Sequence, residues 1–277
     1  MSDHKAPLWW TLYAGAVIVW AVFPLLWMLS LSFKDPLTFR DGTPAFLPEH
    51  FSWASYESVF ADALFTSALL NSFAVASIAT VLSVVVAMFA AYAIARLQFP
   101  GRTLLLSTAL AIAMFPQAAL VGPLFDMWRG LGIYDSWLGL VIPYLAFALP
   151  LSIWTLSAFF RQIPWEMEQA AQVDGATPWQ AFRKVIVPLA APGVFTTAIL
   201  TFLFCWNEFL LAASLTSTDR ARTVPAALSF FTGRSQYQSP VTAIMAASVV
   251  VTIPVVVIVL LFQRRIVAGL TAGAVKG

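Results

Sequence analysis

Cysteine occurs once in the 277 residues, at Cys205 inside an apolar run. A lone thiol excludes an intrachain disulfide and a thiolate cluster for a metal. Histidine occurs twice, at His4 and His50, both outside the long apolar runs. Haem or zinc held by the usual ligands is therefore excluded within them, as is a serine protease that works there with a histidine base. No G-x-x-x-x-G-K-[ST] phosphate loop occurs, so the chain does not hydrolyse ATP by itself. Charge is scarce as well: 10% of residues are charged, where a soluble domain has roughly 25%. The 15 basic residues are scattered and the net charge is only +2, too little and too dispersed for nucleic acid. Neither a catalytic group nor a metal ligand set emerges.

What is abundant is apolar surface: 60% of residues are hydrophobic and the mean hydropathy is +0.84. Hydrocarbon about 30 Å thick needs about 20 apolar residues per helix. The uncharged windows predict an all-α integral membrane protein, a single membrane domain over residues 1–277. Six spans are expected near 8–32, 65–95, 104–125, 138–160, 192–215 and 241–263, followed by a tail at 264–277. Leu8 to Leu31 is longer than a signal-peptide core and no A-x-A site follows, so it reads as a retained first helix. Segment 65–95 exceeds a bilayer and should tilt or project beyond it. Six spans put both termini on one side. With the termini inside, the inner segments hold nine Lys and Arg and the outer segments six, which favours cytoplasmic termini. Pro24, Pro116, Pro123, Pro143, Pro150 and Pro254 fall within spans. Singly each is a kink for packing; together they point to bent or broken helices around a polar path.

The stretch 161–190, between spans four and five, is dense in helix punctuation. Pro164 can open a helix, with Glu166 and Glu168 at the positive end of its dipole. Asp174-Gly175 supplies a turn. Thr177-Pro178-Trp179-Gln180 reads as a capping box, with Thr177 as N-cap and Gln180 reaching back. Pro188 is expected to end the second helix. A plain connection needs a few residues and this one spends about thirty, so a rigid docking element with a slim turn at Ala170, Ala171 and Gly175 is expected.

These residues resemble the EAA motif of importer-type ABC permeases. Gln169-Ala170-Ala171, Gly175 and Val185-Ile186-Val187-Pro188 fill its slots. The acid stands one place early, as Glu168, and Val185 and Val187 replace Ile and Leu. The similarity extends over most of the chain through Ala91-Tyr92-Ala93 with Arg96, Phe99-Pro100-Gly101, Trp206-Asn207-Glu208-Phe209 and the tail Gln263 to Thr271. It narrows to the carbohydrate-uptake branch, relatives of the second maltose permease subunit, and is strongest toward actinobacterial trehalose permeases. The resemblance implies a type I ABC importer permease fold and a place in the bacterial inner membrane. It further implies a second homologous permease, a dimeric cytoplasmic ATP-binding subunit that holds ATP and Mg, and an extracytoplasmic sugar-binding protein. This chain itself would carry no cofactor. Glu168, Gln169, Ala170, Ala171, Asp174 and Gly175 would couple to the ATPase. A permease for another small solute of the same class is the nearest alternative. An ion-coupled carrier is more distant, since buried acid pairs and inverted repeats are lacking.

Trp206, Asn207 and Glu208 are the clearest polar group within a span. They offer a sugar an aromatic face, donors and acceptors, or they bond to a neighbouring helix. Adjacent helical residues point about 100° apart, so all three share one ligand only if the helix breaks there. Asn71, Ser72, Ser77 and Thr252 read first as interhelical glue. Of the outer segments, 34–64 carries the interfacial aromatics Trp53, Tyr56 and Phe60. Segment 216–240 carries Arg220, Arg222, Phe231 and Arg234, suited either to docking the binding protein or to anchoring a solvated loop.

Overall fold

The computed structural model describes residues 8–36, 46–48, 50–231 and 241–272, with the side chains of Leu8 and of 264–272 left aside. Every regular element among them is helical. In order they are α1 (Leu8–Ser32), α2 (Ala54–Ala61), α3 (Ala63–Arg96), α4 (Arg102–Ala113), α5 (Gln117–Leu131), α6 (Trp137–Gln162), α7 (Trp165–Val173) and α8 (Pro178–Ala181). A π turn at Phe182–Ile186 leads to α9 (Val187–Leu189), then α10 (Ala191–Trp206), α11 (Leu210–Leu215), α12 (Val224–Ser229) and α13 (Val241–Ala272).

Four helices are each long and apolar enough to cross a bilayer: α1, α3, α6 and α13. Two further spans are possible only as bent pairs, α4 with α5 at 86° and α8–α9 with α10 at 70°. The expected span 104–125 is thus two helices meeting at Met114–Pro116. Pro116 has no N–H to donate and disfavours helical backbone at Phe115, so the chain turns there. The expected span 192–215 is also interrupted, at Asn207–Phe209. Pro188 does not stop its helix. The ladder slips by one residue, Val187 N–H reaching back to the Phe182 carbonyl, and helix continues to Leu189 before the bend at Ala190. A π turn accommodates the donor that Pro188 lacks.

The chain groups into two compact units. One comprises residues 1–66 and 228–254. There the end of α1 packs on the start of α2: the Ser32 and Tyr56 hydroxyls share a 2.7 Å hydrogen bond, and Phe33 meets Trp53 edge-on at 5.0 Å. Most of α1 is exposed apolar surface, Trp20 at 78% among it.

The other unit comprises 67–227 and 255–277. Here α6 is central, with α4 and α10 packed along it and α11 along α5. Gly193 lets α10 approach α6 so closely that an added Cβ would overlap the Phe159 ring. The Ser152 and Thr201 hydroxyls join the same two helices at 2.9 Å, the small-residue and hydroxyl packing typical of membrane helices. At the other end of α3, Asn71 donates to the Asp219 and Arg222 carbonyls and accepts from Trp137 Nε1, while Ser72 accepts from Val224 N–H. Both act as glue.

Candidate functional site

The stretch 163–190 folds as a helix, a turn and a second helix. α7 ends in a Schellman arrangement: Gly175 N–H donates to the Gln172 carbonyl at 3.0 Å, and Ala176 N–H to Ala171 at 2.9 Å. This closure requires φ of +88° at Gly175, a backbone region where a Cβ clashes with its own chain. α8 opens with the expected capping box, Gln180 N–H donating to Thr177 Oγ1 at 3.3 Å and Thr177 N–H to Gln180 Oε1 at 2.9 Å. The turn is thus bonded on both sides. Gln169, Ala170, Asp174 and Gly175 are exposed, Ala171 is half-buried, and Val173 stands 87% exposed beside the tip.

Glu168 points the other way. It is 5% exposed and accepts from the Tyr92 hydroxyl at 2.5 Å, with its second oxygen 3.9 Å from Arg96 Nε. Arg96 Nη2 also donates to the Ile163 carbonyl at 2.6 Å, and its guanidinium lies 4.7 Å from the Trp165 ring centre. The last turn of α3 therefore grips the first turn of α7. Farther along, Phe182 and Ile186 seat on Ala87 and Ala91 of α3 and on Leu156 and Phe160 of α6. Tyr92 and Phe182 meet edge-on at 4.7 Å, and Trp179 and Phe182 stack at 5.6 Å. Alanines spaced four apart leave a groove on α3 into which residues four apart on the second helix fit. The sequence reading marked Tyr92 and Arg96 only as family-like residues. The usable signal was a basic residue closing a span, which demands a partner, and an acid displaced by one place.

The helix does break at Trp206-Asn207-Glu208, yet the three side chains diverge. Glu208 is 7% exposed, and its carboxylate accepts from Leu211 N–H at 2.8 Å, Ala212 N–H at 3.1 Å and Tyr144 hydroxyl at 2.9 Å. It closes the open end of α11, satisfying donors that a helix start leaves unpaired. Trp206 is buried and stacks on Phe202 at 5.6 Å; its indole N–H has no hydrogen-bond partner among the described residues. Asn207 alone is exposed, with Nδ2 on the Leu203 carbonyl of its own helix.

In the segment after α11, Arg220 is exposed and Arg222 Nη2 binds the Ser217 carbonyl at 2.7 Å. Phe231 is 8% exposed, while its neighbour Phe230 is 49% exposed. Arg234 lies outside the described residues. Asp135, at the turn before α6, adopts a φ of 55° and binds Ser217 N–H, Thr218 N–H and Thr218 hydroxyl. Burial raises its pKa, but those hydrogen bonds outweigh it and leave the carboxyl below the usual range.

Comparison with known proteins places this architecture. Residues 83–271 match the family model of binding-protein-dependent transport system inner membrane components. The chain is 54% identical to the trehalose transport system permease protein SugB of Mycobacterium tuberculosis, over 97% of each chain. It is 42% identical to the trehalose/maltose transport system permease protein MalG of Thermococcus litoralis, over 96% of each. It is 40% identical to the sulfoquinovosyl glycerol transport system permease protein SmoH of Agrobacterium fabrum, over 95% of this chain and 92% of that one. Among solved structures, a chain of a bacterial ABC transporter that imports the acidic polysaccharide alginate superposes with a TM-score of 0.79 at 23% identity, over 95% of this chain and 99% of that one. The chain belongs to the family of binding-protein-dependent transport system inner membrane components, the permease subunits of ABC importers.

Proposed function

We propose that this permease forms half of the membrane pathway for a di- or oligosaccharide, trehalose before maltose, and that α7 with its Gly175 turn is the contact through which a cytoplasmic ATPase moves it. A second homologous permease completes the path, and an extracytoplasmic sugar-binding protein delivers the cargo. ATP and Mg are held by the ATPase, and both termini of this chain face the cytoplasm of a bacterial cell whose inner membrane it spans. The observation that carries the reading is the double anchorage of 163–190. Arg96 and Tyr92 hold Glu168 at one end, Phe182 and Ile186 fill the α3–α6 groove at the other, and the tip between them stays exposed. A force applied to such a tip reaches the spans without being absorbed by a loose loop. The choice of sugar rests on the 54% and 42% identical relatives.

The test is sugar-dependent ATP hydrolysis by the complex reconstituted with its binding protein. Trehalose should stimulate it most, maltose less, and sulfoquinovosyl glycerol little. Stimulation by the last alone would overturn the di- or oligosaccharide reading; a chain that transports without any ATPase would overturn the coupling.

A further inference from the structure

At the ends of α3 and α6 the chain encloses a cavity of about 570 Å³ whose lining includes Arg96, Gln98, Arg102, Thr103 and Arg161. Three arginines from three separate elements thus border one space. Like charges gathered there repel unless an anion sits among them. Arg96, only 3% exposed, is committed to the Ile163 carbonyl, to the Trp165 ring and, through Nε, to the Glu168 carboxylate at 3.9 Å. Arg102 and Arg161 are exposed, and among the described residues neither has an acidic partner; the ion pair at this end joins Arg96 to Glu168. The start of α4 adds to the positive field. Its N-cap is Gly101, which makes no side-chain cap, so no capping side chain offsets the positive end of this 12-residue helix beside Arg102 and Thr103.

The same helix is apolar beyond its first residues, and none of its side chains is buried; Leu104 is 70% exposed and Leu105 is 58% exposed. A cationic hollow at the end of a membrane helix, continuous with an uncovered apolar flank, is complementary to an amphiphile with a negative head. Basic hollows between membrane helices hold anionic headgroups in this way, and guanidinium groups grip phosphate oxygens through paired N–H donors.

We propose that this cavity binds the phosphate group of an anionic membrane lipid, with Arg102 and Arg161 as its ligands, Arg96 adding positive charge at the wall and the flank of α4 against its acyl chains. Free phosphate would meet the same donors but would gain nothing from Leu104 and Leu105.

The test uses the full chain in the complex with which it purifies, delipidated and then titrated separately with phosphatidylglycerol, phosphatidylcholine and inorganic phosphate. Bound molecules are counted by native mass spectrometry. Phosphatidylglycerol should be retained in preference to phosphatidylcholine. Its affinity should fall by about tenfold or more in Arg102→Gln/Arg161→Gln, the size expected for losing one charge-assisted hydrogen bond. Arg102→Lys/Arg161→Lys should keep most of the retention, and Arg220→Gln all of it. Equal retention of the two lipids, or no loss in the double glutamine variant, overturns the site. Saturable inorganic phosphate binding that disappears in that variant, without preference for phosphatidylglycerol, overturns the lipid and assigns the cavity to a free anion. Should the double variant fail to assemble, the single Arg102→Gln and Arg161→Gln proteins carry the same comparison.

Discussion

Glu208 and Gly175 show how single residues act on this chain by different physics. Glu208 holds two backbone N–H groups of α11 and the Tyr144 hydroxyl. Glu208→Ala leaves these buried donors unsatisfied, each at a cost of about 1–3 kcal/mol, so thermal unfolding of the complex should shift down clearly while any sugar contact is lost only as a by-product. Glu208→Gln keeps acceptor capacity and should lie between. A glutamine variant with unchanged stability but a much weaker sugar response would instead make Glu208 a direct ligand. Gly175 has open space where a Cβ would stand, so steric overlap is not the issue and only backbone strain remains. Gly175→Asn, which tolerates left-handed backbone, should keep most uptake; Gly175→Val should lose it at normal membrane abundance. Equal uptake by both variants would reduce the turn to a connector. The turn was legible in advance from Asp174-Gly175 followed by a capping box. The inward aim of Glu168 was not, because its partners Tyr92 and Arg96 lie more than seventy residues away and only folding brings them together.

At the scale of elements, hydropathy located the apolar segments well, since span length follows from bilayer thickness. It could not give the 86° turn at Pro116 or the π turn before Pro188. Proline removes a donor wherever it stands, and Pro143 and Pro150 remain inside the continuous helix α6; neighbouring helices decide which site bends. The reading of Trp206, Asn207 and Glu208 as one polar group failed to anticipate that the break spreads them apart. The connection from α5 to α6 was likewise read only as an outer loop, although Asp135 there ties to Ser217 and Thr218. Its carboxyl is held below the ordinary value of a free aspartate. The contribution of that depressed pKa is present in full above the unfolded value, near ~3.9, and is lost as pH falls through the folded one. Thermal stability should therefore drop more steeply below about pH 4 for the native protein than for Asp135→Asn, with the two curves parallel at neutral pH. Parallel curves throughout the acid range would show that these hydrogen bonds do not favour the charged carboxyl.

At the scale of the molecule, α3 is the longest helix among the described residues, 34 residues without a proline or a glycine, whereas α1, α5, α6 and α13 each contain proline. At 1.5 Å per residue it is about 51 Å long, well beyond the hydrocarbon thickness. Asn71 and Ser72 fasten it to the 219–224 segment, and Tyr92 and Arg96 fasten it to α7. Mechanically it is a strut. Under the proposed coupling, a push on α7 would reach the 219–224 segment in the same stroke, with no separate signal between the two ends. Spin labels at Leu70 and Leu97, both exposed, should stay about 40 Å apart in every nucleotide state of the working complex. A change of about 5 Å, one helical pitch, would mean that α3 flexes and that the two ends of the permease keep their own time.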